Sequence, residues 1–415
     1  MLHAGYIPEP VTGARAVPIF QTTSYVFEDS DKAAQLFELK QYGNIYTRIN
    51  NPTTAAFEER IASLENATGA VATASGMAAQ FAVFMTLLNP GDEIVASAHL
   101  YGGTVTQFTH TFKKLGIKTH FVDPTNLDRW AKAITPQTKA LYGETIGNPK
   151  GSILDIAPLA DLAHAHNIPL IVDSTFATPY LCRPMDWGAD LVVHSATKFI
   201  GGHGNSIAGV LLDSGRFDFS RFPTIADPDP AYHELRFYET FGHYGFLMKA
   251  RAVTLRDTGA ALSPFNSFLL IQGLETLSVR MDRHVQNAHA VAAFLNDHPK
   301  VAWVAYAGLP DSPYHALAQK YTPKGPGAVF TFGIKGENPR QAGKTFIEGL
   351  HLFSHLANVG DARSLVIHPA STTHQQLSDA ELEAGGVSPA MIRLSIGLET
   401  TEDLLWDLDQ ALQAT

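Results

Sequence analysis

The sequence predicts an α/β fold: a mostly parallel central sheet with helices on both faces, followed by a smaller α+β carboxy-terminal domain. Three observations carry the prediction. Short β-branched, apolar runs alternate with helical periods through the middle of the chain, and runs without polar alternation mark strands buried on both faces. A Pro-free stretch from Leu235 to Ala260 reads as one long connecting helix. Beyond it, further strands and helices interleave over a shorter length.

Residues 1–51 mix Pro, Gly, Thr and Tyr without sustained periodicity and read as an extended arm. Pro52 then opens a helix over Thr53–Glu65, with Phe57, Ile61 and Leu64 on one face. Ser75-Gly76-Met77 introduces a second helix, Ala78–Leu88. Strands are expected at Glu93–Ala96, Lys118–Val122, Lys139–Tyr142, Pro169–Val172, Asp190–His194 and Ile207–Leu212. After the connecting segment, strands Val301–Ala305, Val329–Ile334 and Ser364–Ile367 accompany helices Met281–Leu295 and Thr401–Leu412. The expected division is an arm over 1–51, an α/β domain over 52–260 and an α+β domain over 261–415.

Bulk properties narrow the function. The net charge of −10 argues against non-specific nucleic-acid binding, which needs a basic face, and against anionic membranes. No apolar run approaches the roughly 18 residues of a spanning helix. Cys182 is the only cysteine, so no intramolecular disulfide can form, which suits a reducing compartment. No secretory pattern opens the chain, and the reading is cytoplasmic. Neither a dinucleotide-type Gly-x-Gly-x-x-Gly nor a Gly-Lys-Ser/Thr phosphate loop follows a strand.

Two strand ends carry chemistry. Leu170-Ile171-Val172 ends in the carboxylate of Asp173. Leu191-Val192-Val193-His194 runs into Ser195-Ala196-Thr197-Lys198 and then Gly201-Gly202-His203-Gly204. Ligands of open α/β sheets sit beyond the carboxyl ends of strands, so a carboxylate, an amine and two hydroxyls converge on one crevice. Pyridoxal 5′-phosphate (PLP) asks for such a set: a lysine to hold it, a carboxylate for its pyridine nitrogen, and hydroxyls and amides for its phosphate. Ser75-Gly76-Met77 offers the unpaired amides of a helix start. Taken singly, each feature has a plainer reading, since a strand-end carboxylate is often a helix cap and a lysine there a solvated surface group. The joint occurrence favours chemistry.

Ser195-Ala196-Thr197-Lys198 with Gly201-Gly202-His203, together with Val172-Asp173-Ser174-Thr175-Phe176-Ala177-Thr178-Pro179, resembles the Cys/Met-metabolism family of fold-type I PLP-dependent enzymes. The likeness runs from Leu2 to the end of the chain. It implies that Lys198 is the Schiff-base lysine and Asp173 the partner of the pyridine nitrogen. Ser195, Thr197, Gly76 and Met77 would cradle the phosphate, Tyr101 would stack on the ring and assist proton transfer, and Asn148, in Gly147-Asn148-Pro149, would lie near the phenolic oxygen. Tyr46 and Arg48 would reach the phosphate of a neighbouring subunit, with Tyr46 also bordering the substrate. Arg393, in Ile392-Arg393-Leu394-Ser395, would bind the substrate carboxylate, for which a planar guanidinium is suited.

Within the family, Pro223–His233, Ala260–Asn266, Leu356–Asp361 and the Thr12–Ile19 arm resemble the O-acetylhomoserine sulfhydrylase branch. Asn358 stands at a substrate-binding position where lyase relatives usually carry Ser, and Gly103 stands where methionine γ-lyases usually carry Cys. The implied reaction is γ-replacement: O-acetylhomoserine and sulfide give homocysteine and acetate. The implied assembly is a homo-oligomer, a tetramer of active-site-sharing dimers. The alternatives are a γ-lyase or cystathionine-type enzyme on the same scaffold, or a PLP-binding protein without turnover. No metal is expected: His351 and His355 read as ordinary helical histidines, His164 and His166 do not share a helix face, and Cys182 reads as a packing residue.

Overall fold

The computed structural model describes residues 1–148, 151–372 and 388–415. Seven strands form the larger sheet: β1 (Gly69–Thr73), β2 (Glu93–Ser97), β3 (Lys118–Val122), β4 (Thr138–Glu144), β5 (Leu170–Asp173), β6 (Leu191–His194) and β7 (Gly209–Asp213). Their spatial order is β1-β7-β6-β5-β4-β2-β3. The run from β3 through β2, β4 and β5 to β6 is parallel throughout. β7 is antiparallel to both β6 and β1, so β1 points the same way as β6. The carboxyl ends of six strands therefore open on one side. The loops leaving those ends are gathered along one edge of the sheet.

Alternate residues of these strands feed two cores. Leu141, Val172, Val192 and Leu212 pack on one face, and Tyr142, Ile171, Val193 and Leu211 on the other. The period of two along strands that are apolar throughout is why the runs carry no polar alternation. Helix Pro52–Glu65 is capped by Asn51, whose side chain accepts the Thr53 N–H at 2.9 Å. It packs on helix Pro264–Glu275, where Thr54 and Ser267 share a hydroxyl hydrogen bond of 2.9 Å.

A second sheet has five strands in the order β10-β11-β12-β9-β8: β8 (Val301–Ala305), β9 (Val329–Ile334), β10 (Ser354–His355), β11 (Leu365–Ile367) and β12 (Met391–Ser395). All its pairings are antiparallel except β10 with β11. Helices Leu277–Asp297 and Thr401–Gln413 pack against each other, and the former also packs on β8.

Three expectations need correction. Leu235–Ala260 is not one helix but two helical stretches separated at Gly242. Helix Phe237–Phe241 stops at Gly242, which takes φ +55°, and from Gly245 the chain is helical again without a break to Thr258, wound wider over Ala250–Leu255. Absence of proline permits a helix without specifying one, and Gly242 breaks it. The arm is not wholly extended, because Ser30–Phe37 is helical, with Asp29 accepting the Lys32 N–H at 2.7 Å. It exposes Ile7, Val11, Val26 and Tyr42. His351 and His355 are not helical: His355 ends β10, and the His351 N–H donates to Asp407 at 2.8 Å. His164 lies on helix Ile156–Ala165 and pairs with Asp190 at 2.9 Å, while Cys182 is buried and burial pushes its thiol pKa up. Among the described residues no helix is long and apolar enough to cross a membrane.

One buried acid gives the fold a pH dependence. Asp213 ends β7; its Oδ1 accepts the Gly215 N–H at 2.8 Å, and its Oδ2 has no partner among the described residues. Burial raises its pKa to about 7. The folded chain thus holds a proton that the unfolded chain releases near pH 4, and the stabilisation present at low pH is lost as pH rises through 7. Asp213→Asn cannot ionise. Its stability relative to the parent should rise by about 1.4 kcal/mol per pH unit across that window. Urea unfolding at pH 5, 6 and 7 checks this, and a constant difference between the two proteins would refute it.

Candidate active site

A crevice of about 260 Å³ lies where the carboxyl ends of the larger sheet meet the second sheet. The chain folds its chemistry there by topology. Ser75, Gly76 and Met77 follow β1; Tyr101 follows β2; Glu144 closes β4 and Asn148 follows it; Asp173 closes β5; Ser195, Thr197 and Lys198 follow β6. Arg393 projects from β12, and Asn358 stands in the loop between β10 and β11. Ten of the twelve residues expected from sequence line this crevice. Tyr46 and Arg48 do not. Both lie on the arm, where the Arg48 guanidinium sits 5.4 Å from the Tyr46 ring centroid and bonds the Arg256 carbonyl.

Lys198 donates to Asn358 Oδ1. Burial, and then the charge of Arg393, lower its pKa to about 8. The turn that carries it is pinned from behind by Arg280, a buried guanidinium that donates to the Phe199, Ile200 and Gly273 carbonyls at 2.7, 3.2 and 2.7 Å. Asp173 Oδ1 accepts the Thr175 N–H at 2.9 Å and the Thr175 hydroxyl at 2.5 Å. That hydroxyl in turn accepts the Ser195 N–H at 2.8 Å, so Thr175 ties the two chemical strand ends together.

Helix Gly76–Leu87 begins at the crevice with Ser75 as cap, accepting the Ala78 N–H at 3.1 Å. Amides of a first helical turn have no carbonyl a turn behind them and attract anions. Gly76 is required for this placement, since a Cβ there would stand 2.6 Å from Ser195 Cβ. Thr197 Oγ1 is engaged with the Ala208 backbone, accepting at 3.0 Å and donating at 3.1 Å. The Tyr101 N–H donates to Glu144 Oε1 at 2.6 Å, and the Tyr101 ring lies over Gly103, where any Cβ would strike it. Pro149 of the Gly147-Asn148-Pro149 motif lies outside the described residues.

Arg393 gives the crevice wall a positive charge. Its guanidinium is largely buried, burial lowers its pKa, and no carboxylate partners it among the described residues. A desolvated cation without a counter-ion is costly, so the site is built to receive an anion. An amine near neutrality, a carboxylate, a helix start shaped by Gly76 and an open arginine together fit PLP and an amino-acid substrate. Sequence reasoning missed Glu144 and Thr175. Glu144 ends β4 as Asp173 ends β5, and the strand-end rule that marked Asp173 applies to it equally.

The fold and site define an enzyme of the PLP-dependent class, and the chain belongs to the Cys/Met metabolism PLP-dependent enzyme family, whose model matches residues 1–413. It is 50% identical to O-acetyl-L-homoserine sulfhydrylase of Leptospira meyeri over 99% of this chain and 95% of that one. It is 52% identical to O-acetyl-L-homoserine sulfhydrylase 1 of Thermus thermophilus, covering 99% and 98%. The crystal structure of an assigned O-acetylhomoserine (thiol)-lyase from Campylobacter jejuni, carrying N′-pyridoxyl-lysine-5′-monophosphate, superposes with a TM-score of 0.95 at 40% identity, covering 99% and 98%. Cystathionine γ-lyase of Lactobacillus plantarum superposes with a TM-score of 0.85 at 33% identity, covering 100% and 97%.

Proposed function

We propose that the protein exchanges the acetate of O-acetylhomoserine for sulfide, giving homocysteine. The carbon–oxygen bond at Cγ breaks, acetate leaves with its electron pair, and the sulfur of sulfide forms the new carbon–sulfur bond. The observation that carries this reading is identity of about half to O-acetyl-L-homoserine sulfhydrylases over nearly the whole of both chains, on a crevice with an unpaired arginine. PLP, when bound, supplies an electron sink beside the substrate's α-carbon.

The chain's own groups take the remaining roles in this proposal. Lys198 anchors the cofactor and, with its pKa brought to about 8, holds and releases protons near neutral pH. Asp173 faces the pyridine nitrogen and is kept in place by Thr175. Gly76 and Met77 amides with Ser195 and Thr197 hold the phosphate, Asn148 stands near the phenolic oxygen, and Tyr101 stacks on the ring. Arg393 fixes the substrate carboxylate, and Asn358 borders the substrate while accepting from Lys198. Tyr46 and Arg48 complete the site of a second copy of the chain, in a tetramer built from such dimers. The exposed apolar side chains of the arm support an interface there. The working division into domains 52–260 and 261–415 accords with the two sheets, and the proposed location is the cytoplasm.

Replacement should far exceed elimination. With O-acetylhomoserine and sulfide, homocysteine should form at least about tenfold faster than 2-oxobutyrate, which amounts to about 1.4 kcal/mol between the two barriers. Methionine alone should yield little methanethiol. Assaying the same enzyme with O-acetylhomoserine, O-succinylhomoserine and O-acetylserine reads the ester preference. Rapid keto-acid release from methionine without sulfide would overturn the transferase reading.

A further inference from the structure

Glu144 is a buried carboxyl in the crevice wall with no cationic partner among the described residues. What it does hold is backbone. Its Oε1 accepts the Tyr101 N–H at 2.6 Å, and the nearby Asn148 backbone amide favours its charged form. Tyr101 has few other restraints. It precedes the short helix Gly102–Thr106 without a side-chain cap, the residue is 51% exposed, and its side chain interacts with the charge of Arg393. The Tyr101 carbonyl accepts the Val105 N–H at 3.1 Å, and the ring stands between the amide held by Glu144 and the missing side chain at Gly103 beneath it.

We infer that Glu144 is a positioning residue whose carboxyl group ties the Tyr101 amide to the end of β4 and so sets where the Tyr101 ring stands over the crevice. The inference rests on the reading that Tyr101 stacks on the cofactor. The groups around Glu144 explain why a carboxyl can do this without disturbing Asp173. Asp173 approaches from β5, Tyr142 stands on its own strand with its hydroxyl bonded to Gln80 at 2.6 Å, and Lys198 and Arg393 line the same crevice. Behind Asp173, on β6, His194 pairs with Glu65 at 2.6 Å.

Burial first, and then the charge of Asp173, hold the Glu144 pKa well above the ordinary carboxyl range. Burial raises Asp173 as well, but Thr175, Tyr142 and His194 all oppose that rise. The pair therefore keeps its proton on Glu144 and its charge on Asp173. A neutral Glu144 still offers a carbonyl oxygen to the Tyr101 amide. Glutamine reproduces that acceptor; alanine removes it and leaves a buried N–H unsatisfied.

The test uses the holoenzyme and reads the visible circular dichroism of the bound cofactor beside kcat and KM. Losing a buried acceptor should cost Glu144→Ala about tenfold in kcat and about half or more of the visible band, with KM moving less than about threefold. Glu144→Gln should keep most of the band. Glu144→Asp, which withdraws the acceptor by one methylene, should fall between the two, and it reads the same geometry should the alanine protein fold poorly. In a Tyr101→Ala background, Glu144→Ala should add less than about twofold, because coupled residues are not additive. Unchanged bands in both the Ala and Asp proteins, or equal losses in Gln and Ala, would overturn the proposal. Additive losses beside an altered Tyr101→Ala band would overturn Glu144 alone. An unaltered Tyr101→Ala band would overturn the stacking reading, and this proposal with it.

Discussion

Lys198→Ala should abolish turnover. The lysine is asked both to anchor the cofactor and to move protons, and general acid–base catalysis alone contributes about 10²–10⁴-fold. The loss should reach at least the upper end of that range. Nothing else described in the crevice can take over: Arg393 offers a charge and no readily lost proton, Asp173 is held by Thr175, and Glu144 is engaged with the Tyr101 amide. Some cofactor should remain, since the start of helix Gly76–Leu87 and Ser195 do not depend on the amine. Borohydride treatment of the parent should place a reduced pyridoxyl group on the Lys198 peptide, and finding it on another lysine would refute the assignment. Mixing subunits bearing Lys198→Ala with subunits bearing Arg48→Ala should restore part of the activity, because some sites then receive two intact halves. Subunit exchange confirmed by mass without recovered activity would count against the shared site.

Arg393 should be nearly as sensitive, with a different signature. Arg393→Ala should lower kcat/KM by about 30- to 5,000-fold, which corresponds to the 2–5 kcal/mol lost when one partner of a buried charge pair is truncated. Most of the loss should appear in KM for the amino-acid substrate, while the cofactor's absorption stays close to that of the parent. Arg393→Lys should recover little, because an ammonium cannot offer two parallel donors to a carboxylate. Steady-state kinetics over a range of O-acetylhomoserine concentrations at saturating sulfide separates the two parameters. A normal KM in the alanine variant would remove Arg393 from substrate binding.

Much of this architecture was legible from local pattern. Lys118–Val122, Val301–Ala305 and Val329–Ile334 form strands with the bounds their β-branched, apolar composition implied. The strand Gly69–Thr73 escaped notice because Gly-Ala-Val-Ala-Thr offers only one large apolar side chain and looks like a linker. Its place at the sheet edge comes from pairing with β7, far along the chain. The strand Met391–Ser395 carries an arginine at its centre, which a local reading takes as polar loop; pairing on both sides supplies the missing context. The crevice residues came from motif resemblance and from the rule that strand ends bear ligands. What stayed hidden were contacts set by tertiary approach: the Thr175 bridge to Ser195, the grip of Arg280 on the Lys198 turn, and the Glu144 bond to Tyr101. None of these leaves a signature in spacing.

The position of β12 has a consequence for how the protein is made. This strand joins the second sheet between β9 and β11, and it is contributed by residues 391–395 of a 415-residue chain. All seven strands of the first sheet, with Lys198 and Asp173 at their ends, precede Arg393 along the chain, so a ribosome delivers them first. On the proposed roles, the groups assigned to the cofactor are made before the group assigned to the substrate carboxylate. The order of synthesis then places the assembly of the cofactor's side of the crevice ahead of the substrate's side.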